Sequence, residues 1–159
     1  MLTHKLTAFM QLVRNWALLV LVATAFQLSA ADDAKAEQKF AAILIWGTDD
    51  EKPTEKEKDL KDVDPALKEK FKKIFKWKNY FEVTRTNASV KVGEPKHLKL
   101  SKKCEVKINQ TEKEGMDVEL IGENKTVYKG KHSMPLKDIL ILAGDDKNAT
   151  AWFVVLKPE

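Results

Sequence analysis

Beyond residue 80 the chain is cut into short apolar segments by polar turns, and that spacing favours antiparallel sheets. The segments cover 80–86, 89–92, 98–100, 104–109, 116–120, 126–130, 139–143 and 152–156. Alternation is clearest around the single cysteine. Leu98, Leu100, Cys104, Val106 and Ile108 take even positions, while Lys99, Ser101, Lys103, Glu105 and Lys107 take odd ones. That pattern turns Cys104 inward as a buried core thiol rather than a reactive one or half of an intermolecular disulfide. The two greasiest segments, 139–143 and 152–156, read as partners across the turn at 144–148. Upstream, residues 40–46 read FAAILIW and are closed by Gly47. An unbroken apolar run of that length predicts a central strand covered on both faces.

One helix is expected ahead of the strands. Asp64 caps it, Pro65 suits its first position, and Leu67, Phe71, Ile74 and Phe75 recur at helical spacing as its buried face. Lys68, Lys72, Lys73 and Lys76 form the opposite face, which reads as solvated, with an anionic lipid or polymer as the alternative. The fold class is therefore α+β and mostly antiparallel: a β-sandwich or bent sheet of about eight short strands with one packed amphipathic helix.

The N-terminus bounds the compartment. Lys5 and Arg14 precede an apolar run at 16–26, and Ser29, Ala30 and Ala31 follow it. That order is the order of a cleavable signal peptide, with cleavage expected after Ala31. The run is short for a bilayer span, which takes about 20 residues. Segment 1–31 is thus read as signal, 32–39 as a flexible lead-in, and 40–159 as a single β-rich domain. The mature chain is expected in the periplasm or the medium, with no membrane span. Within it, 48–63 reads as an exposed charged loop broken by Pro53.

Cleavage removes two bases and no acid, so the whole-chain charge of +4 falls to about +2. Lysine supplies nearly all of the positive charge, Arg85 being the only arginine after the signal, and acids are interspersed with it. This is a mixed-sign solvated surface, and it argues against nucleic-acid binding. A lone cysteine precludes an internal disulfide, so a hydrophobic core must hold the domain.

The order of residues resembles that of small exported β-rich domains of Gram-negative bacteria, mostly uncharacterised. The resemblance covers about residues 64–157. It rests on Ile74-Phe75-Lys76-Trp77 at the helix end, Tyr80 opening a strand, and the closing pair 139–144 and 152–156. It implies a bacterial envelope setting and carries no site residues.

Chemistry is sparse. His97 and His132 lack a cysteine or second histidine at ligand spacing, so no zinc motif is present. Ser89, Ser101 and Ser133 lack a nucleophile elbow. Asp49-Asp50 and Asp145-Asp146 are the paired carboxylates, both in lysine-rich loops, and the second pair lacks the calcium-loop spacing. Four Asn-x-Ser/Thr sequons begin at Asn87, Asn109, Asn124 and Asn148; they read as turn chemistry in a bacterial protein and as glycan sites in a eukaryotic one. No catalytic, cofactor or metal residue is assigned and no cofactor is expected. The leading expectation is an exported, non-enzymatic binding or accessory domain whose partner is another envelope or secreted protein. A cystatin-like peptidase inhibitor is the first alternative, although Val90-Lys91-Val92-Gly93 only echoes that family's Q-x-V-x-G loop. A small hydrolase is the second, and it requires some pair among Asp49, Asp50, Asp145, Asp146, His97 and His132 to converge.

Overall fold

The apolar run at 40–46 forms the middle of strand β1 (Glu37–Thr48), and both of its faces are buried. The computed structural model describes residues 37–51, 60–112, 114–144 and 150–159. The expected signal segment, the lead-in up to residue 36, loop positions 52–59 and turn residues 145–149 lie outside them. The remaining elements are β2 (Lys61–Asp62), α1 (Pro65–Ile74), β3 (Asn79–Lys91), β4 (Lys96–Lys99), β5 (Cys104–Glu112), β6 (Gly115–Gly122), β7 (Lys125–Ser133), β8 (Leu140–Ala143) and β9 (Ala151–Pro158).

These strands make two sheets. One has the order β2-β3-β1-β9-β8 and the other β4-β5-β6-β7. Every strand pair in both is antiparallel. Period-two geometry explains the unbroken run in β1. Phe40, Ala42 and Leu44 point into the core shared with Cys104, Val106, Ile108, Met116, Val118 and Leu120 of the second sheet. Ala41, Ile43 and Ile45 point the other way, into the core covered by Leu67 and Phe71 of α1. The protein is thus an α+β fold with three layers: helix, five-stranded sheet, four-stranded sheet.

The helix begins where its signals place it. The Asp64 carboxylate accepts from the N–H groups of Ala66 (3.1 Å) and Leu67 (3.2 Å), ahead of Pro65 at the first position. It ends when Phe75 turns to extended backbone. Phe71, Phe75, Trp77 and Tyr80 then gather around Phe153 of β9, with ring centroids 4.4–6.3 Å away. Tyr80 is fully buried there. Its hydroxyl makes no hydrogen bond of good geometry with the described residues. Burial raises its pKa, with the Trp77 backbone pulling the other way and the Asp49 charge adding to the rise.

Four expectations are corrected. Ile74, assigned to the core by its spacing, is 61% exposed: it is the last residue of the helix, whose buried side chains are Leu67 and Phe71. Segments 80–86 and 89–92 are one strand, since β3 pairs with β1 continuously from Asn79 to Lys91 and absorbs its irregularity as a register shift at Leu44/Ile45. Residues Glu37, Gln38 and Lys39, expected in a flexible lead-in, pair with Lys91, Val90 and Ser89. The charged stretch 48–63 is structured at both ends: Thr48 closes β1, Lys61 and Asp62 pair with Glu82 and Phe81, and Val63 is buried.

Candidate functional site

The residues singled out in the sequence separate in space. Asp49 accepts the backbone N–H of Lys78 at 3.2 Å. Asp50 accepts from the Thr48 hydroxyl at 3.2 Å and donates its own N–H back to that oxygen at 3.1 Å. Both aspartates therefore stabilise the turn after β1. His97 stands on the outer face of the second sheet, with Nε2 2.7 Å from Glu105 Oε2. His132 belongs to the opposite edge strand of that sheet and pairs with Tyr128 instead. No hydrogen bond or ion pair joins any two of these four residues; Asp145 and Asp146 lie outside the described residues.

The serines do local work as well. Ser89 bonds the Glu37 carboxylate and is the main cause of its lowered pKa. Ser101 accepts the N–H of Lys103 at 3.1 Å. Ser133 is exposed at the end of β7. Among the described residues no three His, Cys, Asp or Glu side chains are grouped as a metal site would need.

Asn124 occupies the two-residue turn between β6 and β7, where Glu123 and Asn124 have φ of 48° and 64°. Asn87 and Asn109 instead lie within β3 and β5, the first exposed and the second half-buried. Asn148 is outside the described residues. Val90 of the cystatin-like echo is fully buried at the end of β3 and Lys91 faces Glu37 at 3.8 Å, so two of the four residues are committed to the sheet.

Cys104 faces the sandwich core as its alternation requires and is 4% exposed. Burial, with a smaller push from the Glu105 charge, raises its pKa to about 12. The thiol is held neutral and is a poor nucleophile in the folded chain.

Three other arrangements were not singled out by sequence. The first is Tyr128, Gly130 and His132, which share the inward face of β7. The Tyr128 hydroxyl reaches His132 Nε2 at 2.9 Å. A Cβ on Gly130 would stand 2.2 Å from that hydroxyl, so the glycine makes the contact possible. Desolvation lowers the His132 pKa. The pattern Tyr-x-Gly-x-His on one strand was the available signal.

The second is a shallow depression on the outer face of the second sheet. Register places His97, Lys107, Glu119 and Lys129 in one row across β4, β5, β6 and β7. Those four side chains help line a depression of about 370 Å³, with Asn109 and Asp117 beside them. Glu119 is held as a carboxylate below its ordinary pKa, first by the Thr126 hydroxyl at 2.6 Å and then by Lys107 and Lys129. Glu119 stands between Lys107 and Lys129 and offsets part of their charge, and His97 is paired with Glu105 rather than with its neighbours in the row.

The third is the outer edge of the five-stranded sheet. Among the described residues strand β8 pairs with β9 alone, and its four residues are all apolar. Gly144 N–H donates to the Trp152 carbonyl at 3.0 Å. Antiparallel bonding alternates. Leu142 and Leu140 therefore bond to β9, while Ile141 and Ala143 turn their N–H and C=O groups outward. Just before the strand, the exposed Asp138 is paired with Lys70 of α1 at 2.9 Å. Lys70 is also the main cause of the lowered Asp138 pKa.

Fold and edge together define a β-rich sandwich with a one-sided, apolar end strand. No protein-family model matches the chain, and no curated protein or solved structure matches it significantly.

Proposed function

We propose that this chain is a non-enzymatic binding domain, exported to the periplasm or the medium, that takes an extended segment of another envelope or secreted protein along β8. The observation that carries the reading is the outward-turned backbone of Ile141 and Ala143 on an edge strand without a charged residue. Sheets accept added strands at such edges: main-chain hydrogen bonds supply affinity and alternate side-chain positions supply selectivity. The occupant that fits is an extended segment with apolar residues at alternate positions. Such a segment would set apolar side chains beside Leu140 and Leu142 on one face of the sheet and Ile141 on the other. The order of basic, apolar and small residues at the N-terminus supports export. The separation of Asp49, Asp50, His97 and His132 favours this reading over hydrolysis.

The test is amine cross-linking and pull-down in the native envelope fraction, with Ala143→Pro run in parallel. Proline removes an outward N–H and leaves the β9 ladder intact, and Ala143 is exposed, so the fold should hold. A partner cross-linked through Lys137 beside β8 and lost in Ala143→Pro supports the proposal. Equal recovery with the variant overturns it.

A further inference from the structure

Among the described residues the two sheets end on β2, β8, β4 and β7. Three of these end strands carry charge. β2 is Lys61-Asp62, β4 holds Lys96, His97 and Lys99, and β7 holds Lys125, Lys129, Lys131 and His132. Charged side chains, lysine above all, keep an end strand from pairing with its like. β8, Leu140-Ile141-Leu142-Ala143, has none. The backbone groups it turns outward belong to Ile141 and Ala143, two residues apart.

That spacing is self-complementary. Two copies of a strand that pair antiparallel about a two-fold axis normal to the sheet keep their faces, so the axis must pass through a residue position. With the axis at Leu142, Ile141 of each copy stands opposite Ala143 of the other. Each such pair exchanges both N–H···O bonds, and every outward group of both strands is satisfied. With the axis at Ile141, Ala143 would meet Ile139, whose N–H already donates to the Asp138 carboxylate at 2.7 Å. An axis at Ala143 would bond only Ala143 to its copy within the strand. The side chains fit the axis at Leu142 as well. Ile141, on the α1 side of the sheet, would lie beside the small, exposed Ala143, and Leu140, on the sandwich side, beside Gly144.

We infer that β8 pairs with β8 of a second copy of this chain about Leu142, joining the two five-stranded sheets, and that this pairing masks the edge until a partner segment displaces it. The inference rests on the reading of β8 as the binding edge and adds its regulation, since a second copy and a partner segment need the same backbone groups. Four strand residues a side fall well short of the roughly 20–30 of a standard interface, so the dimer is weak enough to give way.

The experiment mixes Ile141→Cys with Ala143→Cys, in the chain as recovered from cells that make it, under mild oxidation. Cys104 is 4% exposed and stays silent. Opposed residues of a hydrogen-bonded pair lie about 5.5 Å apart at Cα, within disulfide range. Like positions are two residues out of line, about 8–9 Å apart, and beyond it. The mixture should therefore form a disulfide dimer and neither variant alone should. The apolar run at 16–26, if retained, would associate copies without regard to this register. Sedimentation of the natural chain should show a dimer that dissociates on dilution and is lost in Ala143→Pro. Circular dichroism unchanged from the natural chain establishes that the variants are folded. In the envelope pull-down the disulfide dimer should recover less partner than the same sample reduced. Monomer at every concentration, or disulfide in either variant alone as readily as in the mixture, overturns the inference and leaves partner capture standing. Equal recovery by the locked and reduced forms overturns the masking. A mixed disulfide with no partner recovered from the reduced chain overturns partner capture and leaves the self-pairing.

Discussion

The side-chain amide of Gln38 closes a two-point clasp on the backbone of Leu136. Leu136 N–H donates to Gln38 Oε1 at 2.8 Å, and Gln38 Nε2 donates to the Leu136 carbonyl at 3.3 Å. One partner begins β1 and the other lies on the link from β7 to β8, so the clasp fixes the chain where it passes from the second sheet to the first. Gln38→Ala should cost about 1–3 kcal/mol, because it strands a partly buried backbone donor. Gln38→Glu keeps the acceptor and should cost less. Urea denaturation of the two variants distinguishes them; equal midpoints would show that the clasp is not what holds the link.

The contact between Tyr128 and His132 gives the sandwich an acid limit. Burial holds the folded-state pKa of His132 below the ordinary 6.5. Above that value neither state carries the proton, and stability from this residue is fully present. As pH falls below 6.5 the unfolded chain takes the proton first, so stability declines until the folded-state pKa has been passed. Denaturation between pH 7 and pH 5 should show a smaller loss in His132→Gln than in the natural chain. Gly130→Ala should push the Tyr128 hydroxyl aside, expose the imidazole and move its NMR titration midpoint back towards 6.5.

Cys104 should be inert until the chain opens. Ionisation alone, with the pKa raised from 9.0 to about 12, makes the folded thiol about a thousandfold less reactive near pH 8. Alkylation should therefore follow the unfolding transition. The linkage has the opposite sign to that of His132: above pH 9 the unfolded thiol ionises first and stability falls. Rapid labelling of the native protein would remove the inward placement of this residue.

Much of this architecture can be read from the chain, for a physical reason. Alternation survives wherever one face of a strand is wet, so the placement of Cys104, Val106 and Ile108 follows directly. The run at 40–46 is legible as central because a helix and a second sheet each bury half of it. Ile74 is not legible: helical spacing assigns it to the stripe, and only the extent of the sheet decides whether anything lies opposite. Asn87-Ala88 looks like a strand end, yet β1 supplies a continuous partner that carries β3 through it. The pairing of 139–143 with 152–156 is readable, whereas the position of that pair at the sheet's end is a property of strand order. The Gln38 clasp joins residues 98 apart in sequence and leaves no local signal.

Trp152 supplies the strictest test of packing. Its indole occupies the space where side chains on two glycines would stand, one in each sheet's chain segment. A Cβ on Gly144 would be 1.9 Å from the ring and one on Gly122 would be 2.8 Å from it. Trp152 also offers the carbonyl that Gly144 bonds, the contact that sets which β8 groups face outward. Gly144→Ala should therefore displace the ring, shift the tryptophan emission and cost about 1–3 kcal/mol through overpacking. Gly122→Ala approaches the ring less closely and should cost less. Because the Gly144 bond fixes the alternation along β8, partner capture at that edge should weaken in Gly144→Ala and not in Gly122→Ala. Capture unchanged in Gly144→Ala, with the emission shift present, would separate the edge from the tryptophan that orders it.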